Sequence, residues 1–181
     1  LVEFPEPFLR LRNVGMILAA DHKKMSKSFG NVENPDEVIA EYGADSLRIY
    51  EMFMAPFSQE IAWSTQTLQG SYRFLKRIWQ TYHDPAKITS RAQSENRKTV
   101  VELQSTIFDV TKDITNVKFN TAVAFMMKFL NHWEKAGVSI SLNDAKSFLK
   151  ILSPFAPFIT EEIWRKIFNQ KNSIHLSSWP D

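Results

Sequence analysis

From Ser64 to Phe168, apolar side chains recur at spacings of three and four, in runs punctuated by Gly and Pro. No other feature constrains the fold as strongly. Leu68, Tyr72, Leu75, Trp79 and Tyr82 make one helical stripe, and Val100, Leu103, Ile107, Val110, Ile114 and Val117 make a second over more than two heptads. A helix with one apolar face is stable only when that face is covered, so the partners of these stripes are other helices. A third helix, capped by Asn120 or Thr121, is expected through Val123, Met126, Met127, Leu130 and Trp133 to Gly137. A fourth starts near Asn143 and carries Phe148, Leu149 and Leu152. Pro154 and Pro157 break the period before a fifth, Ile159 to Phe168, with Glu161 and Glu162 in its first turn. The tail from Ser173 to Pro180 alternates and predicts an extended segment.

Before Ser64 the pattern is different. The first 34 residues mix Pro, Gly and Asn with short apolar runs, and only Val14-Gly15-Met16-Ile17-Leu18 suggests a brief strand. At Asn34-Pro35-Asp36-Glu37 a cap, a first-turn Pro and first-turn acids coincide, predicting a short helix that ends near Gly43. Asp45 or Ser46 can cap a second short helix running to Met54, which Pro56 stops. The expected fold is therefore mainly α. A loop-rich segment with two short helices, residues 1–63, precedes an antiparallel helical bundle, residues 64–181.

Composition agrees with a packed core: 44% of the 181 residues are apolar, including 14 Phe and 5 Trp. The absence of Cys excludes a disulfide framework, a thiolate zinc site and a cysteine nucleophile. No window approaches the roughly 18 apolar residues of a membrane-spanning helix. The start, Leu1-Val2-Glu3-Phe4, has neither an initiating Met nor the order of a signal peptide, which suggests a piece of a longer polypeptide. Residues 1–63 hold 6 Lys and Arg against 10 Asp and Glu, a balance of −4, whereas residues 64–181 hold 16 against 10, a balance of +6. The basic excess thus belongs to the bundle, as in a module that contacts a polyanion, although a solvated surface also produces it.

One segment carries chemistry. In Lys23-Lys24-Met25-Ser26-Lys27-Ser28-Phe29-Gly30-Asn31, ammonium groups at Lys24 and Lys27, hydroxyls at Ser26 and Ser28 and the freedom of Gly30 suit a mobile loop that closes on a triphosphate. A lysine placed there can neutralise charge developing on a phosphoryl group, an effect on the order of 3 kcal/mol or ~100-fold in rate. The alternative from the residues alone is a solvated Lys/Ser loop.

Lys24-Met25-Ser26-Lys27-Ser28, followed by Gly30-Asn31-Val32, resembles the signature loop of class I aminoacyl-tRNA synthetases. The continuation Asn34-Pro35-Asp36-Glu37-Val38-Ile39 and Tyr42-Gly43-Ala44-Asp45-Ser46-Leu47-Arg48 resembles the leucyl, isoleucyl and valyl members. Tyr50 to Pro56, Trp63-Ser64, Arg73-Phe74-Leu75, Phe119-Asn120-Thr121-Ala122, Pro154 to Pro157 with Glu161-Glu162-Ile163-Trp164, and Ile174-His175-Leu176 with Trp179-Pro180 resemble the leucyl group. The resemblance implies ATP-dependent activation of leucine, with Mg²⁺, and its transfer to tRNA-Leu by a monomeric, cytoplasmic enzyme. It implies that Lys27 contacts ATP phosphates and that Lys24 is its basic companion. Met25, Ser26 and Ser28 then shape the loop, and Gly30 and Asn31 let it close and anchor it.

The chain shows no His-x-Gly-His segment, no run of alternating strands and helices, and no editing-domain sequence, so alone it is expected not to activate leucine. The bundle resembles the family's anticodon-binding domain, and Arg73, Lys76 and Arg77 on its first helix are the candidate tRNA contacts, with a solubilising surface as the alternative. Isoleucyl or valyl specificity, or a free-standing helical RNA-binding module, remain the competing readings. Trp79, Trp133 and Trp164 are expected in the core, as are Met126 and Met127. Trp63 and Ser64 are expected to join the two parts by packing. The four histidines show no ligand spacing, and no metal site is proposed on this chain.

Overall fold

The computed structural model describes residues 3, 8–90 and 96–180. Among them are seven α-helices and four two-residue strands. The short helices α1 (Pro35–Tyr42) and α2 (Ala44–Phe53) lead into α3 (Thr65–His83), α4 (Arg97–Thr115), α5 (Phe119–Ala136), α6 (Leu142–Leu152) and α7 (Pro157–Lys166). The last five form the bundle. Pairings between α4 and α5 at Thr99–His132, Glu102–Lys128 and Asp113–Thr121 run in opposite directions along the two helices, so this hairpin is antiparallel.

Two parallel strand pairs act as seams. β1 (Ile17–Leu18) pairs with β2 (Ile61–Ala62), and β3 (Ile88–Thr89) with β4 (Ile140–Ser141). Gly15 is required beside the first seam, because its amide donates to the Phe57 carbonyl at 2.9 Å and a Cβ there would lie 1.8 Å from the Gln59 carbonyl oxygen.

The main core gathers Leu103, Ile107 and Val110 of α4, Met126, Phe129, Leu130 and Trp133 of α5, and Phe148, Leu149 and Leu152 of α6. Several of its aromatic rings pack edge to face, as in Tyr82 on Trp133, with ring centres 6.0 Å apart. A smaller cluster of Val38, Leu47, Tyr50, Trp63 and Leu68 joins α1 and α2 to the first turns of α3. Trp63 packs on Tyr50 there at 4.8 Å.

Several expectations need correction. Asp45 does not cap its own helix: α2 follows Gly43, whose positive φ of 84° makes the turn, and the Asp45 carboxylate instead accepts from the Phe158 and Ile159 amides at the start of α7. Neither Asn120 nor Thr121 caps α5, which follows Lys118; the Thr121 hydroxyl donates to Asp113. Ser141 caps α6 before Asn143, accepting from the Asp144 amide at 3.1 Å. Pro157 opens α7, so Glu161 and Glu162 lie beyond its first turn. The tail is not extended throughout, since Ile174–Leu176 form a single 3-10 turn.

The buried face of α3 is rotated from the expected stripe. Ser71, Phe74, Ile78 and Thr81 are buried with Leu68, Leu75 and Tyr82, whereas Tyr72 and Trp79 stand 40% and 37% exposed. Trp133 and Trp164 are core residues as expected.

Candidate functional site

The Lys/Ser loop is a closed local structure. Entry is a tight turn in which the Ala19 amide donates to the Lys23 carbonyl at 2.8 Å and His22 takes a positive φ of 61°. Residues Lys27–Phe29 then form one 3-10 turn that ends at Gly30, left-handed at φ 64°. An ordinary side chain disfavours that conformation by about 1–2 kcal/mol, which explains the glycine.

Asn31 holds the loop from the inside. Its Oδ1 accepts from the Ser26 amide at 2.9 Å and its Nδ2 donates to the Lys24 carbonyl at 3.4 Å. The Ser26 and Ser28 hydroxyls lie 2.8 Å apart. Lys24 and Lys27 stay exposed, whereas Met25 packs against the Val38/Tyr50/Trp63 cluster. Because that cluster also contains Leu68, one apolar contact surface links the loop to α3. The arrangement presents two free ammonium groups and two hydroxyls to solvent from a braced backbone, a donor set matched to phosphate oxygens.

Of the three cations singled out on α3, Arg73 and Lys76 are exposed. Arg77 is engaged within the protein: its guanidinium pairs with Glu134 and donates to Asn131 Oδ1 at 2.6 Å, tying α3 to α5. Sequence spacing puts Arg77 on the polar side of α3, but the acid that neutralises it lies 57 residues away and gives no local signal.

α2 is fastened to the α6–α7 corner. Arg48 donates to the Pro154 carbonyl at 3.1 Å, and Asp45 holds the first amides of α7, with the Ile159 contact at 2.7 Å. Burial pushes the Asp45 carboxyl above its ordinary value, and the hydrogen bonds from Ile159 and Phe158 pull it back only in part. The sequence cue was the acid itself; its partner is 114 residues distant.

The short loop that displays the Lys24/Lys27 pair and the helical bundle behind it fall in two stretches that match family models. Residues 2–64 match the model for tRNA synthetases class I (I, L, M and V), and residues 96–181 match the anticodon-binding domain of tRNA ligase. Over these two stretches, together 149 of the 181 residues, the chain is similar to the class I tRNA synthetases. Within that class its likeness is to a leucyl-type enzyme. It superposes on the LeuRS agnB2 of Agrobacterium radiobacter K84, solved as a ternary complex with tRNA and LeuAMS, with a TM-score of 0.85 at 30% identity. The match covers 98% of this chain and 24% of that one.

Proposed function

We propose that this chain is the part of a leucine–tRNA ligase that supplies the ATP-contacting loop and a helical surface for tRNA-Leu. Residues 1–63 close the catalytic domain and residues 64–181 form the anticodon-binding domain. The observation that carries the reading is the braced loop at Lys24–Asn31, seated on the cluster from which α3 departs. Lys27 neutralises the triphosphate during leucine activation and Lys24 assists. Ser26, Ser28 and the loop backbone orient the phosphates, while Met25, Gly30 and Asn31 set the loop's seat, bend and clasp. Arg73 and Lys76 meet tRNA phosphates, whereas Arg77 keeps α3 on α5. The same reading makes the parent a monomeric cytoplasmic enzyme.

Mg²⁺, when bound, would come with the nucleotide and would supply screening of the phosphate charge. Among the described residues no three His, Asp or Glu side chains converge to hold a cation. The loop's own donors fit phosphate oxygens and not the metal.

In the enzyme that contains this chain, Lys27→Ala should slow leucine-dependent ATP–pyrophosphate exchange by about 100-fold, with the exposed position leaving the fold intact. An unchanged exchange rate would remove Lys27 from the phosphates. The 181-residue chain alone should give no leucine-dependent exchange above a blank.

A further inference from the structure

A groove of about 540 Å³ lies where the α1–α2 corner, α3 and the start of α7 meet, and the reading above uses only Lys76 of its lining. Tyr42, Tyr72, Leu75, Lys76, Trp79 and Phe158 line it. The aromatic side chains are partly open to solvent, Phe158 at 68%. Trp79 is also held in place. The His83 ring lies over the indole with centres 4.0 Å apart, and its Nδ1 sits 2.8 Å from the Trp79 carbonyl oxygen. His83 does not line the groove, and its ring contact holds the indole, which stays 37% exposed. Tyr42 packs edge-on against Tyr72 at 5.8 Å and fixes the second ring. Rings held before binding lose little entropy when a ligand stacks on them.

The charges favour one kind of ligand. Two ionisable carboxylate or ammonium groups line the groove, Asp45 and Lys76. The Asp45 carboxylate is buried and turned to the Phe158 and Ile159 amides, so the charge offered to a ligand is the ammonium of Lys76, with Arg73 one turn earlier on α3. A flat apolar platform next to a cation is what an unpaired nucleotide uses, its base stacking and its phosphate being neutralised.

We propose that this groove binds an unpaired nucleotide of an RNA, with the base stacked on Trp79 and the adjoining phosphate on Lys76. The proposal rests on the tRNA reading and narrows it to a nucleotide outside a duplex. The test titrates the 181-residue chain with a stem–loop RNA and with a blunt duplex of the same stem, using the wild type, Trp79→Ala, Trp79→Phe and Lys76→Gln. Trp79→Ala should lose about tenfold in affinity for the stem–loop, with its salt slope unchanged, and nothing for the duplex. Trp79→Phe should retain most of the affinity, which separates lost stacking from lost folding. Lys76→Gln should lower the salt slope by about one. Equal losses on both RNAs, or no loss on either, would overturn the groove assignment while leaving the tRNA reading standing. Failure of the wild type to bind either RNA would overturn both.

Discussion

Asn31 braces the Lys/Ser loop through two backbone groups at once, the Ser26 amide and the Lys24 carbonyl. Asn31→Ala should therefore release the Ser26 amide, raising its hydrogen-exchange rate toward that of an open loop while leaving the thermal midpoint nearly unchanged; continued protection of Ser26 would show that something else holds it. Glu161 acts similarly at the far end of the chain. Its carboxylate accepts from Ser173, from the Ile174 amide at 2.9 Å and from Arg165 at 2.7 Å. Desolvation pushes this carboxyl up, but the bonds from Arg165, Ile174 and Ser173 outweigh it and hold the pKa below the ordinary 4.5. A folded pKa below the unfolded one means that the tail's anchoring is complete above the ordinary value and is lost as pH falls through the lowered folded value. Acidification below the ordinary 4.5 should expose the Ile174 amide to exchange before the bundle unfolds, and Glu161→Gln should make that exposure independent of pH in this range. Single residues also show what was readable locally. The Lys24–Ser28 motif and Gly30 mark a candidate phosphate loop by residue type, whereas the partner of Arg77 is invisible until α5 is laid beside α3.

At the scale of elements, the long amphipathic helices follow from period alone, but their rotation and caps depend on neighbours. The expected stripe on α3 follows apolar spacing and so places Tyr72 and Trp79 inward; packing instead selects the face with Phe74 and Ile78, where the small polar Ser71 and Thr81 are buried as well. α7 is a second case. No side chain of its own caps it, and its first amides are satisfied by Asp45 from α2. Because a lost helix cap costs about 0.5–2 kcal/mol, Asp45→Ala should lower stability by about 1–2 kcal/mol at neutral pH, read as a shift in the urea midpoint. A shift within error would mean that the α7 amides find water at no cost. The strand seams are two residues each and lack any alternating pattern long enough to read, which is why only the first strand was foreseeable.

For the molecule as a whole, the loop-bearing segment and the bundle are joined by shared core and by hydrogen bonds, so the two should move as neighbours and not as beads on a linker. Trp63 and Leu68 lie in one cluster across the proposed boundary, and Arg48 and Asp45 reach the α6–α7 corner. The overall class was legible because a mainly helical pattern and one specific loop motif point the same way. The surface was less so: a balance of +6 over residues 64–181 says that cations are present, not which ones are free. Under the proposed function, the free ones meet the phosphates of tRNA-Leu. The direct test titrates the chain with tRNA-Leu and tRNA-Val over a series of salt concentrations. Binding of tRNA-Leu should be the tighter, with log K falling against log salt at a slope of roughly −2 to −4, about 3–5 phosphate contacts. Equal affinity for the two tRNAs would contradict a leucyl preference in this part of the enzyme, and no binding at low salt would contradict the tRNA-facing role of the bundle.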